Sequence, residues 1–415
     1  FVRGTPLFIP DDPTLLFTNA GMNQFKPIFL GKEDPVCTRA TNSQRCMRVS
    51  GKHNDLEEVG FSPHHHTLFE MLGNWSFGDY YKEDAIKWAW ELLTDVWKLP
   101  KDKLWVTVFK DELDEIEADN EAAEIWKSGT DVIPEQVRFF GRKDNFWEMG
   151  ETGPCGPCTE IHMDRGLEFC DKQDVPGHVC EVNGDCRRIV ELWNLVFIQY
   201  NRIDEHELKP LPSKHVDTGM GFERVTAVLQ DASSNYETDL FMPIIKAVQA
   251  ASGQSAEDAA ANIHAYRVIA DHVRASAFLL TDGILPSNEW RGYVLRRIIR
   301  RAVRFGTKIG FKKPFMFRAA ETFIKEMSPV YPELQDSAAH ITSILKSEES
   351  RFFKTLQQGM PMVSKLIKST KKKGLEELPG NEVFTLYDTY GFPVDITREI
   401  AEEAGLARRH QEQLR

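Results

Sequence analysis

No apolar run in these 415 residues approaches the roughly eighteen that a membrane-crossing helix needs. The N-terminal FVRGTPLFIPDD puts no basic stretch ahead of an apolar core, so it lacks the form of a secretory signal. Cysteine is scarce. Seven of them, an odd number, do not make a secreted disulfide framework, and a reducing cytoplasm is the expected setting. Positive charge is also short: 51 Lys and Arg face 63 Asp and Glu, a net charge of -12. That argues against polyanion binding over the whole surface but not against local patches. Low-complexity tracts are missing as well. What is present is globular, with 41% hydrophobic and 27% charged residues. A chain of this length should form two or three domains with sizeable cores.

The densest stretch is RATNSQRCMRVSGKHNDLEEVGFSPHHHTLFEMLGNWSFGDYY, residues 39–81. It reads as a strand carrying Arg45 and Arg48, a polar loop holding Gly51, Lys52, Asp55 and Glu57, and an apolar return strand from His66 to Leu72. A rigid guanidinium fork, a mobile ammonium and aromatics on the return strand suit a bound polyphosphate nucleotide. An ordinary hairpin with solvated charges is the competing reading.

Three further stretches stand out. DNFWEMGETGPCGPCTEI, residues 144–161, places Trp147 before a Gly- and Pro-rich run expected to form a tight loop. Then Cys170, His178, Cys180 and Cys186 cluster in FCDKQDVPGHVCEVNGDC; thiolates and an imidazole could hold tetrahedral Zn²⁺. The spacings match no standard finger, and a polar insertion with free thiols is the alternative. RIVELWNLVFIQY, residues 188–200, reads as a central strand interrupted by Asn194, a polar group that needs a partner. Finally, HVDTGMGFERVTAVLQ sets Asp217 before a Gly-flanked turn and opens a helix with Glu223 and Arg224. An arginine there adds to the positive end of the helix dipole. Asp111 to Trp126 reads as an acidic helix, and Leu104 to Phe109 as a strand.

Beyond residue 235 the pattern becomes helical. Residues 291–313 carry nine Lys or Arg and no acid. Val294, Leu295, Ile298, Ile299, Ala302 and Val303 make an apolar stripe, and Arg297, Arg300, Arg301 and Arg304 line the other face. Such uncompensated cations point to a nucleic-acid backbone rather than to a merely solvated face.

RCMRVSGKHNDLEEVG and HHHTLFEMLGNWSFGDY closely resemble motif 2 of the class II alanyl-tRNA synthetases. Gly219, Gly221 and Arg224 resemble motif 3, G-x-G-x-x-R. PDDPTLLFTNAGM resembles part of motif 1, without the amphipathic helix that normally precedes it. PSNEWRGYVLRRIIRRAVR and LYDTYGFPVDIT resemble the family's tRNA-recognition region. The resemblance covers nearly the whole chain as the N-terminal half of a longer protein. The editing domain that normally follows, with its own zinc motif, is expected to be absent.

The resemblance implies an α+β fold. A class II antiparallel sheet of six strands with flanking helices would occupy residues 1–235, and a helical tRNA-recognition domain residues 236–415. It implies a monomeric fragment with no membrane partner that ligates alanine to tRNA(Ala) through alanyl-adenylate, using ATP and Mg²⁺. Arg48 would hold the α-phosphate with Lys52 in support. Arg224 would hold the terminal phosphates, and Phe69 would stack on adenine. Asp217 would pair with the alanine ammonium in a pocket bounded by Trp147, Asn194 and Gly219. Asn288 and Asp388 align with the residues that read the G·U pair of the acceptor stem, whose minor-groove edge exposes a guanine amino group. Under this resemblance Cys155 and Cys158 are loop residues without metal.

Overall fold

Alternating residues in RATNSQRCM and β-branched or aromatic runs such as LWVTVF favour pleated backbone. The computed structural model, which describes residues 1–9, 15–50 and 53–406, gathers them into one sheet. In chain order the strands of this sheet are β1 (Arg39–Met47), β2 (Leu68–Phe77), β3 (Leu104–Phe109), β4 (Val137–Phe140), β5 (Phe146–Glu148), β6 (Gly153–Asp164), β7 (Ile189–Arg202) and β8 (Leu208–Gly221), while Val49–Ser50 and His53–Asn54 pair separately. Pairing runs β1-β2-β8-β7-β6-β3-β4, with β5 on β6. Among the described residues only β3 and β4 pair in parallel, which the intervening helix at Asn120–Gly129 permits. The sheet has eight strands, where six were expected. The short β4 and β5 carry too little alternation to be read from sequence.

Helices α1 (Lys82–Glu91) and α2 (Asn120–Gly129) cover one face, with Ile86, Leu93 and Trp126 packed among Val106, Val108, Leu195 and Phe197. The acidic helix expected from Asp111 does not start there. The Asp111 carboxylate instead accepts from the amides of Leu113, Glu115 and Ile116 and pairs with Arg142 at 2.8 Å. Such local bonds compete with helix. The helix begins only after Asp119, whose side chain caps Ala122 N at 3.0 Å. On the other face Met22, Phe25, Phe29, Trp75, Phe77 and Val196 form a smaller cluster.

The Gly- and Pro-rich run at 153–158 is strand rather than tight loop. One extra residue on β7 between the Cys155 and Cys158 pairings absorbs the irregularity as a bulge. A Cβ on Gly156 would sit 2.0 Å from the Phe197 carbonyl oxygen, so glycine lets the two backbones meet. Gly219 and Gly221 likewise end β8, where a turn was expected, and helix α3 (Phe222–Leu229) follows directly.

Contacts divide the chain into two compact units. One comprises Phe1–Glu58 and Ser62–Leu240; the other comprises Val59–Phe61 and Phe241–Arg415. The second unit is built of α4 (Met242–Ser252), α5 (Ile263–Thr281), α6 (Trp290–Lys308), α7 (Met316–Met327), α8 (Ala338–Lys372), α9 (Gly380–Asp388) and α10 (Val394–Glu403). Helix α5 is its core, buried from Ala265 to Leu280 except at Arg267. The Glu349 carboxylate caps α7 by accepting from the amides of Phe315, Met316 and Phe317. No helix among the described residues is long and apolar enough to cross a membrane.

Gly156→Ala should destabilise the chain by about 1–3 kcal/mol, because the backbone at Phe197 must move. Gly150→Ala meets nothing closer than 3.9 Å and should stay within about 0.5 kcal/mol of the parent. Urea titration of both variants checks the contrast.

Candidate active site

The register of the three longest strands builds a cleft. Glu160 on β6 lies opposite Asn194 on β7, and Asn194 lies opposite Gly219 on β8. These three form one rung. Two residues along, Val196 and Asp217 point to the same face. A second bulge, with Ile161 opposite Trp193 but His162 opposite Glu191, inserts one residue in β7 and returns Glu191 to that face. The resulting cleft of about 320 Å³ is lined by these residues together with Arg48, Phe69, Met71, Trp147, Arg224 and His64–His66, among others.

At its base the Asp217 carboxylate accepts from Trp75 Nε1 at 2.6 Å. Burial pushes the Asp217 carboxyl up to about 7, and the indole bond offsets this only in part. The Asn194 Oδ1 is buried and finds no hydrogen-bond partner among the described residues. A buried carboxylate and an orphaned amide oxygen together invite a small cation with N–H donors. A Cβ on Gly219 would lie 2.9 Å from Met71 Sδ, so glycine keeps this corner open.

The other end of the cleft is cationic and aromatic. The Arg48 guanidinium lies 4.9 Å over the Phe69 ring, and its Nε donates to the Asn19 carbonyl at 3.4 Å. Arg224 Nη1 donates to the Glu191 carbonyl at 2.7 Å and lies 3.2 Å from its carboxylate. Lys52 lies outside the described residues. Burial, with the nearby Arg224 charge second, lowers His64 to about 2, so its ring is neutral. Burial raises the Glu160 carboxyl, partly offset by its contact with His162 at 3.2 Å.

The structure thus brings Arg48, Phe69, Trp147, Asn194, Asp217, Gly219 and Arg224 together. Sequence reasoning missed His64–His66, Glu160, Glu191 and Val196. The three histidines are held from the side: Tyr236 Oη donates to the His65 carbonyl at 2.9 Å, and Asn235 Nδ2 lies 3.0 Å from His66 Nε2. Their run before β2 was the available signal. For Glu191 the bulge is decisive, and nothing in the sequence marks it.

Cys155 and Cys158 are buried strand residues, with burial raising the Cys155 thiol to about 12 and Cys158 well above its usual value. They stand apart from Cys170, His178, Cys180 and Cys186, whose donor atoms all lie within 4.8 Å of one another.

In the helical unit Asn288 and Asp388 are exposed. The open arginine face expected on α6 is neutralised in part: among the described residues, three acids are shared by five cations. Arg301 and Arg304 are buried; Arg304 pairs with Glu399 and Glu403 at 2.7 Å, and Arg301 lies 3.6 Å from Glu399. Arg300 Nε lies 3.4 Å from Glu348, and Arg297 is half-buried. The acids come from α8 and α10, distant in sequence, so a local count of charge could not find them.

The mixed sheet, its motif-like hairpin and the helix beginning after Gly221 define a class II synthetase domain. The chain belongs to that family: the model for class II tRNA synthetases (A) matches residues 1–413. Among its relatives, the alanine--tRNA ligase of Desulfosudis oleivorans is 52% identical over 403 residues, covering 97% of this chain and 45% of that protein. The alanine--tRNA ligase of Chlorobium phaeovibrioides is 52% identical over 410 residues, 98% of this chain and 44% of the relative. The chain therefore spans less than half the length of these relatives.

One prediction concerns Asp217 alone. Its carboxyl is held near 7 against an ordinary value of 3.8, so the folded state keeps a proton that the unfolded chain has released. Its contribution to stability is full below the lower value and is lost as pH rises through the upper one. Asp217→Asn removes this loss while keeping an oxygen for Trp75. Its melting temperature relative to the parent should climb from pH 4 to pH 7 and then level off, as followed by thermal melts.

Proposed function

We propose that this chain activates alanine with ATP and transfers it to tRNA(Ala). The observation that carries this reading is the rung Glu160–Asn194–Gly219 above buried Asp217, beside Arg48 and Arg224 in one cleft. Supporting it, relatives at 52% identity bear the name alanine--tRNA ligase.

The alanine ammonium is taken by Asp217 and by the free acceptor of Asn194. Trp147, Val196 and Met71 wall the side chain. Adenine stacks on Phe69, which requires Arg48 to leave that ring. Arg48 then faces the α-phosphate, with Lys52 supporting it. Arg224 exchanges Glu191 for the terminal phosphates. Mg²⁺ suits the carboxylate pair Glu160 and Glu191 and would supply charge neutralisation on the phosphates.

The alanine carboxylate attacks the α-phosphorus, forming a C–O–P link while the bond to pyrophosphate breaks. No general base is required, because the nucleophile is already ionised. Catalysis is alignment plus stabilisation of charge on the phosphoryl oxygens. In the second step a terminal ribose hydroxyl of the tRNA attacks the alanyl carbonyl, the carbonyl–phosphate C–O bond breaks, and AMP leaves with its phosphate taking up the hydroxyl proton. The seven free cysteines fit a reducing cytoplasm.

For RNA we assign the base edges of the acceptor-stem G·U pair to Asn288 and Asp388. Backbone contacts are better supplied by α8 than by the paired arginines Arg301 and Arg304 of α6. Residues 351–373 hold Arg351, Lys354, Lys365, Lys368, Lys371, Lys372 and Lys373 without one acid, and all seven are exposed. Helix α9, which packs on α8, adds Phe384 and Tyr387, more than half exposed, as stacking surfaces.

Alanine-dependent ATP–pyrophosphate exchange tests the chemistry. Alanine should lead over glycine, serine and proline, and Arg48→Ala should lower exchange at least tenfold. A smaller loss in a folded variant removes Arg48 from the α-phosphate. For the RNA surface, log affinity for tRNA(Ala) should fall linearly with log salt. The double variant Lys365→Ala/Lys368→Ala should flatten that slope by about 2, one per lost phosphate contact, while Arg304→Lys should not change it. Filter-binding titrations read both slopes.

A further inference from the structure

We propose that Cys170, His178, Cys180 and Cys186 bind one Zn²⁺ tetrahedrally, and that this ion is what folds the insert between β6 and β7.

The dimensions fit the ion. Zinc–sulfur bonds of about 2.3 Å and a zinc–nitrogen bond of about 2.0 Å at tetrahedral angles separate sulfur from nitrogen by about 3.5 Å and sulfur from sulfur by about 3.8 Å. His178 Nε2 lies 3.4 Å from Cys170 Sγ and 3.5 Å from Cys180 Sγ. All four donor atoms fall within 4.8 Å of one another. Three thiolates and one imidazole are a zinc set by chemistry, softer than magnesium or calcium accept.

The surroundings orient the ligands. His178 Nδ1 lies 3.4 Å from Asp185 Oδ1, and Asp185 is itself held by Lys172 at 2.5 Å. A carboxylate on one ring nitrogen leaves the other nitrogen's lone pair for a metal. Gly177 and Asn183 adopt positive φ of 80° and 57°, making the tight returns that gather the four side chains.

The insert also needs a staple. From Gly166 to Arg187 it contains one short helical turn, Leu167–Phe169, and no strand. Its buried apolar residues are Cys170 and Val182. A segment with so little core does not hold one conformation by packing alone, and structural zinc is a common substitute. The cysteines are not joined as disulfides.

The consequence reaches the nucleotide cleft, and this part rests on the proposed function. Arg188 pairs with Asp164 through two bonds of 2.6 and 2.7 Å, closing the base of the insert. Arg165 and Arg187 then line a cleft of about 260 Å³ that shares His64 and Arg224 with the larger one. Releasing the metal frees that wall.

The test uses the whole chain under reducing conditions. Elemental analysis of the purified protein should find one zinc. After chelation, Co²⁺ alone should restore one equivalent, with the visible absorption of a four-coordinate thiolate site. Cys180→Ser should lose that spectrum, and Cys37→Ser should keep it. Asp185→Asn should weaken Co²⁺ binding about 10–100-fold with the spectrum retained. Amide exchange across 167–187 should accelerate on chelation, and β8 should stay protected. A reduced protein with no zinc and no thiolate–cobalt bands overturns the metal site, as does a disulfide among these cysteines found by mass. An intact metal site in a chain inactive in pyrophosphate exchange would reject the proposed function and leave the zinc standing.

Discussion

Across β6, β7 and β8 the hydrogen-bond register sets Glu160 opposite Asn194 and Asn194 opposite Gly219. Every functional distance on that face follows from this pairing. A slip of one residue would turn each side chain to the other face, burying carboxylates among Leu195, Phe197 and Trp126. The bulge before Glu191 adds a second carboxylate to the cleft. Glycines at 156 and 219 make the arrangement possible, the first by close backbone approach and the second by leaving room for Met71.

The cleft face is stable for reasons opposed to its chemistry. Asp217 is buried and Glu160 nearly so, and desolvation raises both carboxyls. Trp75 returns part of that cost through one short bond while its ring packs against Phe25 at 4.8 Å. A substrate bearing an ammonium would return more. Buried polar groups left short of partners are where a fold yields stability to ligand binding. Arg48 on Phe69 and Arg224 on Glu191 are the converse: under the proposed function these are partners that a polyphosphate would replace.

In the helical unit the same electrostatic rule acts over longer separations. The arginines of α6 run nearly without interruption, yet Glu348, Glu399 and Glu403 come from up to a hundred residues away to meet them. Helix α8 keeps an exposed basic stretch, for which no acidic partner is found among the described residues. Charge density along a sequence therefore does not by itself rank these two helices by availability to a polyanion.

The sequence by itself determined helices α4 to α8, because their apolar period of 3.6 survives any tertiary arrangement; α9 and α10 were not read from it. It also marked Arg48, Phe69, Asn194, Asp217 and Arg224 as candidates within long contiguous motifs, and these five meet in one cleft. It misread 153–158, since glycine and proline signal turns until a neighbouring strand accepts them with a bulge. It misread Asp111, whose carboxylate captured three backbone amides before a helix could form. Only the tertiary structure decided that Glu160, Glu191 and His64–His66 face the cleft, that Arg301 and Arg304 are neutralised, and that three thiols and an imidazole converge. Each of these depends on partners distant along the chain, and such pairings are set by strand register and helix packing rather than by local pattern.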